Sequence, residues 1–202
     1  MTLWRGKFPL ILASQSRARQ TLLANAGIPF EAVPAEIDER AVQQAAGLST
    51  ADAIAVHLAR AKALAVSAHQ PGRFVVGADQ TLALGKRLFS KPGDRTQARE
   101  QLRALAGHSH ELHSAIAVAR DASILFEAAT VARMTMRPLG GAEMDVYLDQ
   151  AGAAVMSSVG AYQLEGLGVH LFERIEGDHF TILGLPLLQL LAFLRSERLL
   201  AV

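Results

Sequence analysis

The chain has 202 residues, of which 50% are hydrophobic and 19% are charged, with a net charge of +1 and no cysteine. This composition predicts a globular fold and excludes a disordered chain, a disulfide framework and a cysteine-ligated zinc site. The near-neutral charge and the aromatic content of 5% argue against nucleic-acid binding. No stretch approaches about 18 consecutive apolar residues. Residues 1–8 lack the apolar segment of a signal peptide, so we expect a cytoplasmic protein outside membranes.

The turn after the first predicted strand contains residue types that can bind phosphate. Phe8–Ala13 is a short apolar run that indicates a strand, and Ser14-Gln15-Ser16 separates it from a helix that extends to about Ala26. Helix N–H groups, serine hydroxyls and the guanidinium groups of Arg17 and Arg19 could surround a phosphate. An ordinary capped helix with solvated arginines is the alternative, although arginine in a first turn opposes the helix dipole.

An acidic segment follows the second predicted strand, Ile28–Val33. If this segment is extended, Glu36 and Asp38 lie on one face, because side chains alternate along an extended chain. Two carboxylates on one face suit a divalent cation with oxygen ligands, and a solvated acidic loop is the alternative. A polar connection leads to a helix from Thr50 to about Ala68, in which Lys62 stands beside the apolar stripe. Its ammonium could enter a site or extend to solvent.

The apolar stretch of residues 74–82 predicts a buried strand with a single carboxylate, Asp79, in its middle. An ionised carboxylate without a partner in such a place costs several kcal/mol or more. We therefore expect Asp79 to face a pocket, a cation or a hydrogen-bond cluster, and an Asp that closes a turn is the alternative. After this stretch the strand either continues or turns back at Gly85.

The second half of the chain mixes strands and helices without strict alternation, which favours an α/β fold with a mixed sheet. Lys91 stands just before a predicted helix, where a flexible ammonium can reach a phosphate. His108, His110 and His113 lack the spacing of zinc ligands. The remaining predicted elements are a helix from Asp94 to Ala106, strands at Leu112–Arg120, Ile124–Arg137 and Val169–Ile175, and helices that begin near Gly140 and Gly184.

Taken in order, these motifs resemble those of the Maf family of nucleoside triphosphate pyrophosphatases, which share an architecture with inosine triphosphatases. The resemblance covers nearly the whole chain and implies one domain over residues 1–202. It also implies a mixed twisted sheet with flanking helices and two lobes around a central cleft. The matching residues are Ser14-Gln15-Ser16 with Arg19, Glu36 with Asp38, Lys62, Gly77-Ala78-Asp79, Lys91-Pro92, Gly107 with His110, Gly160-Ala161-Tyr162, Gly177-Asp178 and Gly184-Leu185-Pro186.

The resemblance implies hydrolysis of a nucleoside triphosphate to the monophosphate and pyrophosphate, as house-cleaning of nucleotide pools, with Mg²⁺ or Mn²⁺ as cofactor. It also implies a homodimer. Asp79 would accept a proton from water and bind the metal. The alternative of another class is a non-catalytic nucleotide-binding regulator of cell division. The other implied site residues are the substrate ligands Ser14, Arg19, Lys62 and Lys91, and the further metal ligands Glu36 and Asp38.

Three positions are implicated in base preference: Ala18, Gln80 and Glu165. Family members that act on thymidine or uridine triphosphate usually have Arg, Thr and Gln at these places. Gln80 and Glu165 resemble the members that act on 7-methyl-GTP, which tend to have an aromatic residue at the position of Ala18. A carboxylate accepts hydrogen bonds from the N1–H and amino groups of guanine and repels the carbonyl oxygens of a pyrimidine. The pattern therefore favours 7-methyl-GTP, and a dTTP/UTP pyrophosphatase is the alternative.

Overall fold

The computed structural model describes residues 3–202, in which seven strands form one mixed sheet. The sheet order is β2-β1-β3-β5-β6-β7, and β4 pairs with β3. β1 is parallel to β2 and β3, whereas the β3–β4 and β6–β7 pairs are antiparallel. This confirms the predicted α/β class with a mixed sheet. The strands are β1 Leu10–Leu12, β2 Phe30–Ala32, β3 Val75–Leu84, β4 Arg87–Phe89, β5 Ser109–Arg120, β6 Ser123–Met136 and β7 Phe172–Glu176.

Helices connect these strands, and none of the helices between residues 3 and 202 has the length and apolar character that crossing a bilayer requires. The α-helices are α1 Arg17–Asn25, α2 Glu39–Ala46, α3 Ala51–Ser67, α4 Arg95–Leu105, α5 Gly141–Ala151, α6 His179–Ile182 and α7 Leu187–Ser196. Short 3₁₀ helices occupy Gly152–Ser157, Val159–Ala161 and Leu167–Leu171.

The chain divides into two compact units, and β3, β5 and β6 each contribute residues to both. The first unit contains the described part of Met1–Gln80, together with Ser114–Thr130 and His179–Val202. Its core includes Leu10, Leu12, Leu23, Val76, Ile116, Val118, Leu190 and Leu194. The second unit contains Thr81–His113 and Val131–Asp178. Its fully buried side chains include Leu102, Leu105, Leu112, Met134, Met136 and Leu148.

In the first unit, α3 packs closely on the sheet because the facing residues are small. Ala55, Ala59 and Ala63 of the helix form a buried cluster with Ala115, Ala117 and Ala119 of β5. Gly77 of β3 belongs to the same contact, since an added Cβ would overlap the Ala59 carbonyl oxygen and the Ala63 amide nitrogen. Only glycine permits this approach of strand and helix backbones. The approach brings the strand that carries Asp79 against the helix turn that carries Lys62.

Two predicted connections differ from the structure. The acidic segment and the polar connection after it contain α2, which the sequence interpretation missed because it assigned residues 43–49 to a polar connection, although Val42 and Ala46 share one face of the helix. Its end signals are present, since Asp38 is the N-cap and Gly47 has φ +62° at the C-cap. The predicted strand Val169–Ile175 is wrong in its first part, because a 3₁₀ helix extends to Leu171 before β7 begins. Gly85, with φ +59°, forms the turn between β3 and the antiparallel β4.

Candidate active site

A buried ion pair occupies the contact between β3 and α3 in the first unit, and an exposed carboxylate of α2 joins it. Asp79 is only 6% exposed and Lys62 only 8%. The Lys62 Nζ lies 2.6 Å from Asp79 Oδ1 and 2.8 Å from Glu39 Oε1. Asp79 therefore does meet a cation, as its burial required, and that cation is a lysine of the neighbouring helix. Sequence reasoning missed Glu39, which is the first residue of the unrecognised helix α2.

The turn between β1 and α1 is held by its own serines. Ser16 is the N-cap of α1. The Ser14 Oγ accepts hydrogen bonds from the Ser16 amide at 3.2 Å and from Arg19 Nη1 at 3.1 Å. Both acceptor positions of this hydroxyl are thus used, and its own hydrogen is left to donate. The turn therefore offers a hydroxyl donor at the N-terminus of a nine-residue helix, an arrangement that suits an anion.

Arg19 ties this turn to two other segments of the first unit. Its Nη1 also donates to the Ala78 carbonyl, and its Nε donates to the Gly184 carbonyl, each at 2.8 Å. Burial lowers the pKa of the Arg19 guanidinium, and the charges of Asp79 and Glu39 act in the opposite direction. These bonds use the Nε and Nη1 of the guanidinium, and its predicted contact with phosphate oxygens stays a prediction. A buried guanidinium needs acceptors, and backbone carbonyls distant in sequence supply them here.

Gln80 of β3 binds both α6 and β5 through its amide nitrogen. The Nε2 lies 3.1 Å from the Thr181 carbonyl, 3.0 Å from the Ile182 carbonyl and 3.0 Å from the Ser114 hydroxyl. Two carbonyls accept only from the nitrogen, so they fix the orientation of the amide. Ser114 in turn donates to Thr181 at 2.7 Å. In the described part of the chain, the Gln80 Oε1 has no hydrogen-bond partner and remains an acceptor.

The three carboxylates predicted to bind metal do not assemble as one set. Asp38 caps α2, where its Oδ1 accepts from the Ala41 amide at 3.0 Å. Glu36 is exposed, and Asp79 is paired with Lys62. Between residues 3 and 202, no group of three or more acidic or histidine side chains is arranged to hold a metal ion. The arrangement of these side chains therefore does not fit the predicted three-carboxylate site.

The other predicted site residues are solvent-accessible. Ala18 is half-buried in the first turn of α1, in the first unit. Lys91 and Glu165 belong to the second unit, where each is exposed on a loop. Lys91 lies between β4 and α4, and Glu165 lies between two of the 3₁₀ helices. The first unit thus brings together Ser14, Arg19, Lys62, Asp79 and Gln80, and the second unit supplies two exposed charges.

Comparison with known proteins gives a consistent result over the full length of the chain. A family model described as Maf-like protein matches residues 9–197. A nucleoside triphosphate pyrophosphatase of Bradyrhizobium diazoefficiens is 68% identical, and one of Rhodopseudomonas palustris strain CGA009 is 65% identical, with both chains fully covered in each case. A 7-methyl-GTP pyrophosphatase of Rhizobium etli is 54% identical over 93% of this chain and 95% of its own length.

Proposed function

The chain belongs to the Maf-like protein family, and from this premise we propose that it hydrolyses a nucleoside triphosphate to the nucleoside monophosphate and pyrophosphate. The observation that carries the proposal is the buried pair of Lys62 and Asp79, which the exposed Glu39 joins. Arg19 links this group to the serine turn, because it binds both Ser14 and the carbonyl that precedes Asp79. Burying the charges of Arg19, Lys62 and Asp79 is costly for a fold alone and favours a site for a charged ligand.

The proposed reaction is attack of water on the α-phosphorus. The bond from that phosphorus to the oxygen shared with the β-phosphorus breaks, and pyrophosphate leaves. Asp79 Oδ1 is bound by Lys62, whereas its Oδ2 makes no hydrogen bond to residues 3–202 and is free to accept the proton of the water. The Lys62 ammonium and the Ser14 hydroxyl stabilise negative charge on the phosphates, which is the larger part of catalysis in phosphoryl transfer.

Arg19 positions other residues of the proposed site, in addition to its predicted contact with phosphate. Its hydrogen bonds to Ser14, Ala78 and Gly184 fix the serine turn against the strand of Asp79. The remaining nitrogen, Nη2, is the part of the guanidinium that can approach a phosphate. Lys91 is exposed in the second unit, and its contact with phosphate stays a prediction.

For the base, the proposal is a preference for 7-methyl-GTP. The similarity to the Rhizobium etli enzyme supports it. The chemistry of the predicted base contact supports it too, because the Glu165 carboxylate can accept from the N1–H and amino donors of guanine. Preference for dTTP or UTP is the alternative, and it would need a donor at this position. The dependence on Mg²⁺ or Mn²⁺, the homodimer and the cytoplasmic location stay predictions.

The test is a panel of triphosphates, including 7-methyl-GTP, GTP, dTTP and UTP, with separate detection of pyrophosphate and orthophosphate. Each is assayed with Mg²⁺, with Mn²⁺ and with a chelator. We expect release of pyrophosphate, highest with 7-methyl-GTP, and loss of roughly 100-fold or more in kcat for Asp79→Asn. Asp94→Asn is the matched control, because Asp94 is an exposed helix cap of the second unit and Asn also caps helices.

The outcomes separate the candidate functions. Absence of pyrophosphate with every triphosphate would overturn the proposal. Tight triphosphate binding without turnover would instead support the non-catalytic regulator. Equal rates on dTTP and 7-methyl-GTP would reject the base preference and leave the reaction standing.

A further inference from the structure

We propose that Gln101 is a positioning residue that couples the loop of Lys91 to the loop of Glu165 within the second unit. Gln101 lies on α4 and is half-buried. The inference rests on the proposed function, because it takes these two charges as contacts for the triphosphate and for its base. Its structural part, the link between the two loops, rests on the hydrogen bonds alone.

The Gln101 side chain uses both ends of its amide. Its Nε2 donates to the Ser90 carbonyl at 2.8 Å, and its Oε1 accepts from the Gly160 amide at 3.0 Å. One partner can only accept and the other can only donate, so the amide orientation is determined. Ser90 directly precedes Lys91, and Gly160 begins the segment that leads to Glu165. One side chain therefore fixes the backbone of both loops.

The Gly160 end of the link is attached to a rigid segment. Gly160 has φ +80° and is followed by Ala161 at φ +60°, a conformation that a non-glycine residue rarely adopts. The next residue, Tyr162, is buried, and its hydroxyl lies 2.7 Å from His110 Nε2. The Tyr147 hydroxyl donates to the Ala161 carbonyl at 3.2 Å. The Gly160 amide therefore belongs to a segment whose backbone is fixed at Ala161 and Tyr162, just before the turn that carries Glu165.

At the Ser90 end of the link, a second glutamine of α4 also binds the loop of Lys91. The Gly93 amide donates to the Gln97 Oε1 at 2.9 Å, and Gln97 is one turn before Gln101 on α4. Lys91 is thus bracketed by two glutamines of one helix. Only Gln101 also reaches the second loop, among the hydrogen bonds of the described residues. Charge binding at Lys91 and base binding at Glu165 then bias each other through this side chain.

The two hydrogen bonds can be removed one at a time. Gln101→Glu keeps an acceptor for the Gly160 amide but cannot donate to the Ser90 carbonyl. Gln101→Lys keeps a donor for Ser90 but cannot accept from Gly160. Gln101→Met removes both bonds at similar volume. Arg103→Met is the matched control, because Arg103 is exposed on the same helix.

Hydrogen exchange of residues 86–93 and 158–166 tests the link without any substrate. We expect faster exchange in both segments for Gln101→Met, only in 86–93 for Gln101→Glu and only in 158–166 for Gln101→Lys. Unchanged exchange in the three variants would overturn the link. If the Met variant fails to fold, the Glu and Lys variants still give opposite patterns.

Kinetics tests the coupling in the active enzyme. For Gln101→Met we expect KM for the triphosphate to rise roughly 5-fold or more, with kcat nearly unchanged, because positioning affects binding. The Gln101→Met/Glu165→Gln double variant should lose less than the product of the single losses. Multiplicative losses would overturn the coupling. A wild-type chain without pyrophosphate release would overturn the proposed function, while the exchange pattern still decides the link.

Discussion

The two units carry their proposed site residues in opposite ways. In the first unit, Lys62 and Asp79 are buried and bonded to each other. In the second unit, Lys91 and Glu165 are exposed. The backbone of the segments that carry them is hydrogen-bonded to the Gln101 side chain. Charges of the first kind contribute to the stability of the fold as well as to the site, whereas charges of the second kind contribute to the site alone. Substitutions should therefore separate stability from activity by unit.

The largest expected effect follows from removing the buried lysine. Lys62→Met leaves the Asp79 carboxylate, which is 6% exposed, without a cation. Removing one partner of a buried ion pair costs about 3–5 kcal/mol, because the other charge stays desolvated. Urea unfolding should give this loss in the free energy of unfolding.

Two further variants sharpen this prediction. Adding Asp79→Asn to Lys62→Met should recover part of the lost stability, since no buried charge then remains unpaired. Lys86→Met is the matched control, because Lys86 is exposed and should change the free energy of unfolding by less than about 0.5 kcal/mol. If Lys62→Met were as stable as Lys86→Met, the buried charges of the first unit would not contribute to stability, and the contrast between the two units would be wrong.

The next largest expected effect is a pH dependence of the free energy of unfolding, caused by a buried histidine of the second unit. Burial lowers the pKa of His110 from 6.5 to about 4. The unfolded chain therefore takes up this proton at a higher pH than the folded chain. The stabilisation is complete above pH 6.5 and decreases by about 1.4 kcal/mol per unit as the pH falls toward about 4. Unfolding titrations between these limits measure the slope.

The histidine variants identify the source of that slope. His110→Gln should flatten it, because no group with this shift remains at the position. His108→Gln should leave it unchanged, since His108 is exposed. If the slope were the same in both variants, another group would be responsible, and the buried His110–Tyr162 pair would not control the acid response of the second unit.

The sequence predicted those features that depend on local pattern. The charge of Asp79 inside an apolar stretch predicted a pocket, a cation or a hydrogen-bond cluster, and the structure places the Lys62 ammonium there. Which cation this would be did not follow from the pattern, because the approach of α3 to β3 depends on Gly77 meeting Ala59 and Ala63, residues distant in sequence. The place of Glu39 was missed because residues 43–49 were interpreted as a polar connection, although Val42 and Ala46 lie one helical turn apart in its helix.

Most of the site contacts that were not predicted from the sequence are hydrogen bonds to backbone carbonyls. Gln80 and Arg19 were interpreted from their side chains as reading a base and a phosphate, and both bind carbonyls of residues 181–184. A carbonyl has no signature in the amino-acid sequence, so contacts of this kind cannot be predicted without the fold. The signal that could have drawn attention to this segment is Gly184, whose φ of +83° is needed where the chain turns before α7.

A smaller effect on stability distinguishes two roles of Asp38, as a helix N-cap and as a metal ligand. As the N-cap of α2, its side chain accepts from the Ala41 amide at 3.0 Å. Asp38→Ala should lower stability by about 1 kcal/mol, and Asp38→Asn by much less, because Asn also caps helices. Thermal unfolding measures both. A metal ligand predicts a different pattern, in which Asp38→Asn raises the Mg²⁺ or Mn²⁺ concentration needed for half-maximal activity as much as Asp38→Ala does.

The smallest stability effects are expected at the exposed charges of the second unit, where activity should respond instead. Lys91→Ala and Glu165→Gln should each change the free energy of unfolding by less than about 0.5 kcal/mol. Lys91→Ala should raise KM for every triphosphate, because it removes a charge for the phosphates common to them. Glu165→Gln should reduce the preference for 7-methyl-GTP over dTTP, because an amide also donates to pyrimidine carbonyls. Lys86→Ala and Glu173→Gln, both exposed, are the matched controls. If Lys91→Ala altered only stability, or Glu165→Gln only KM for all bases equally, the division between phosphate and base contacts in the second unit would be wrong.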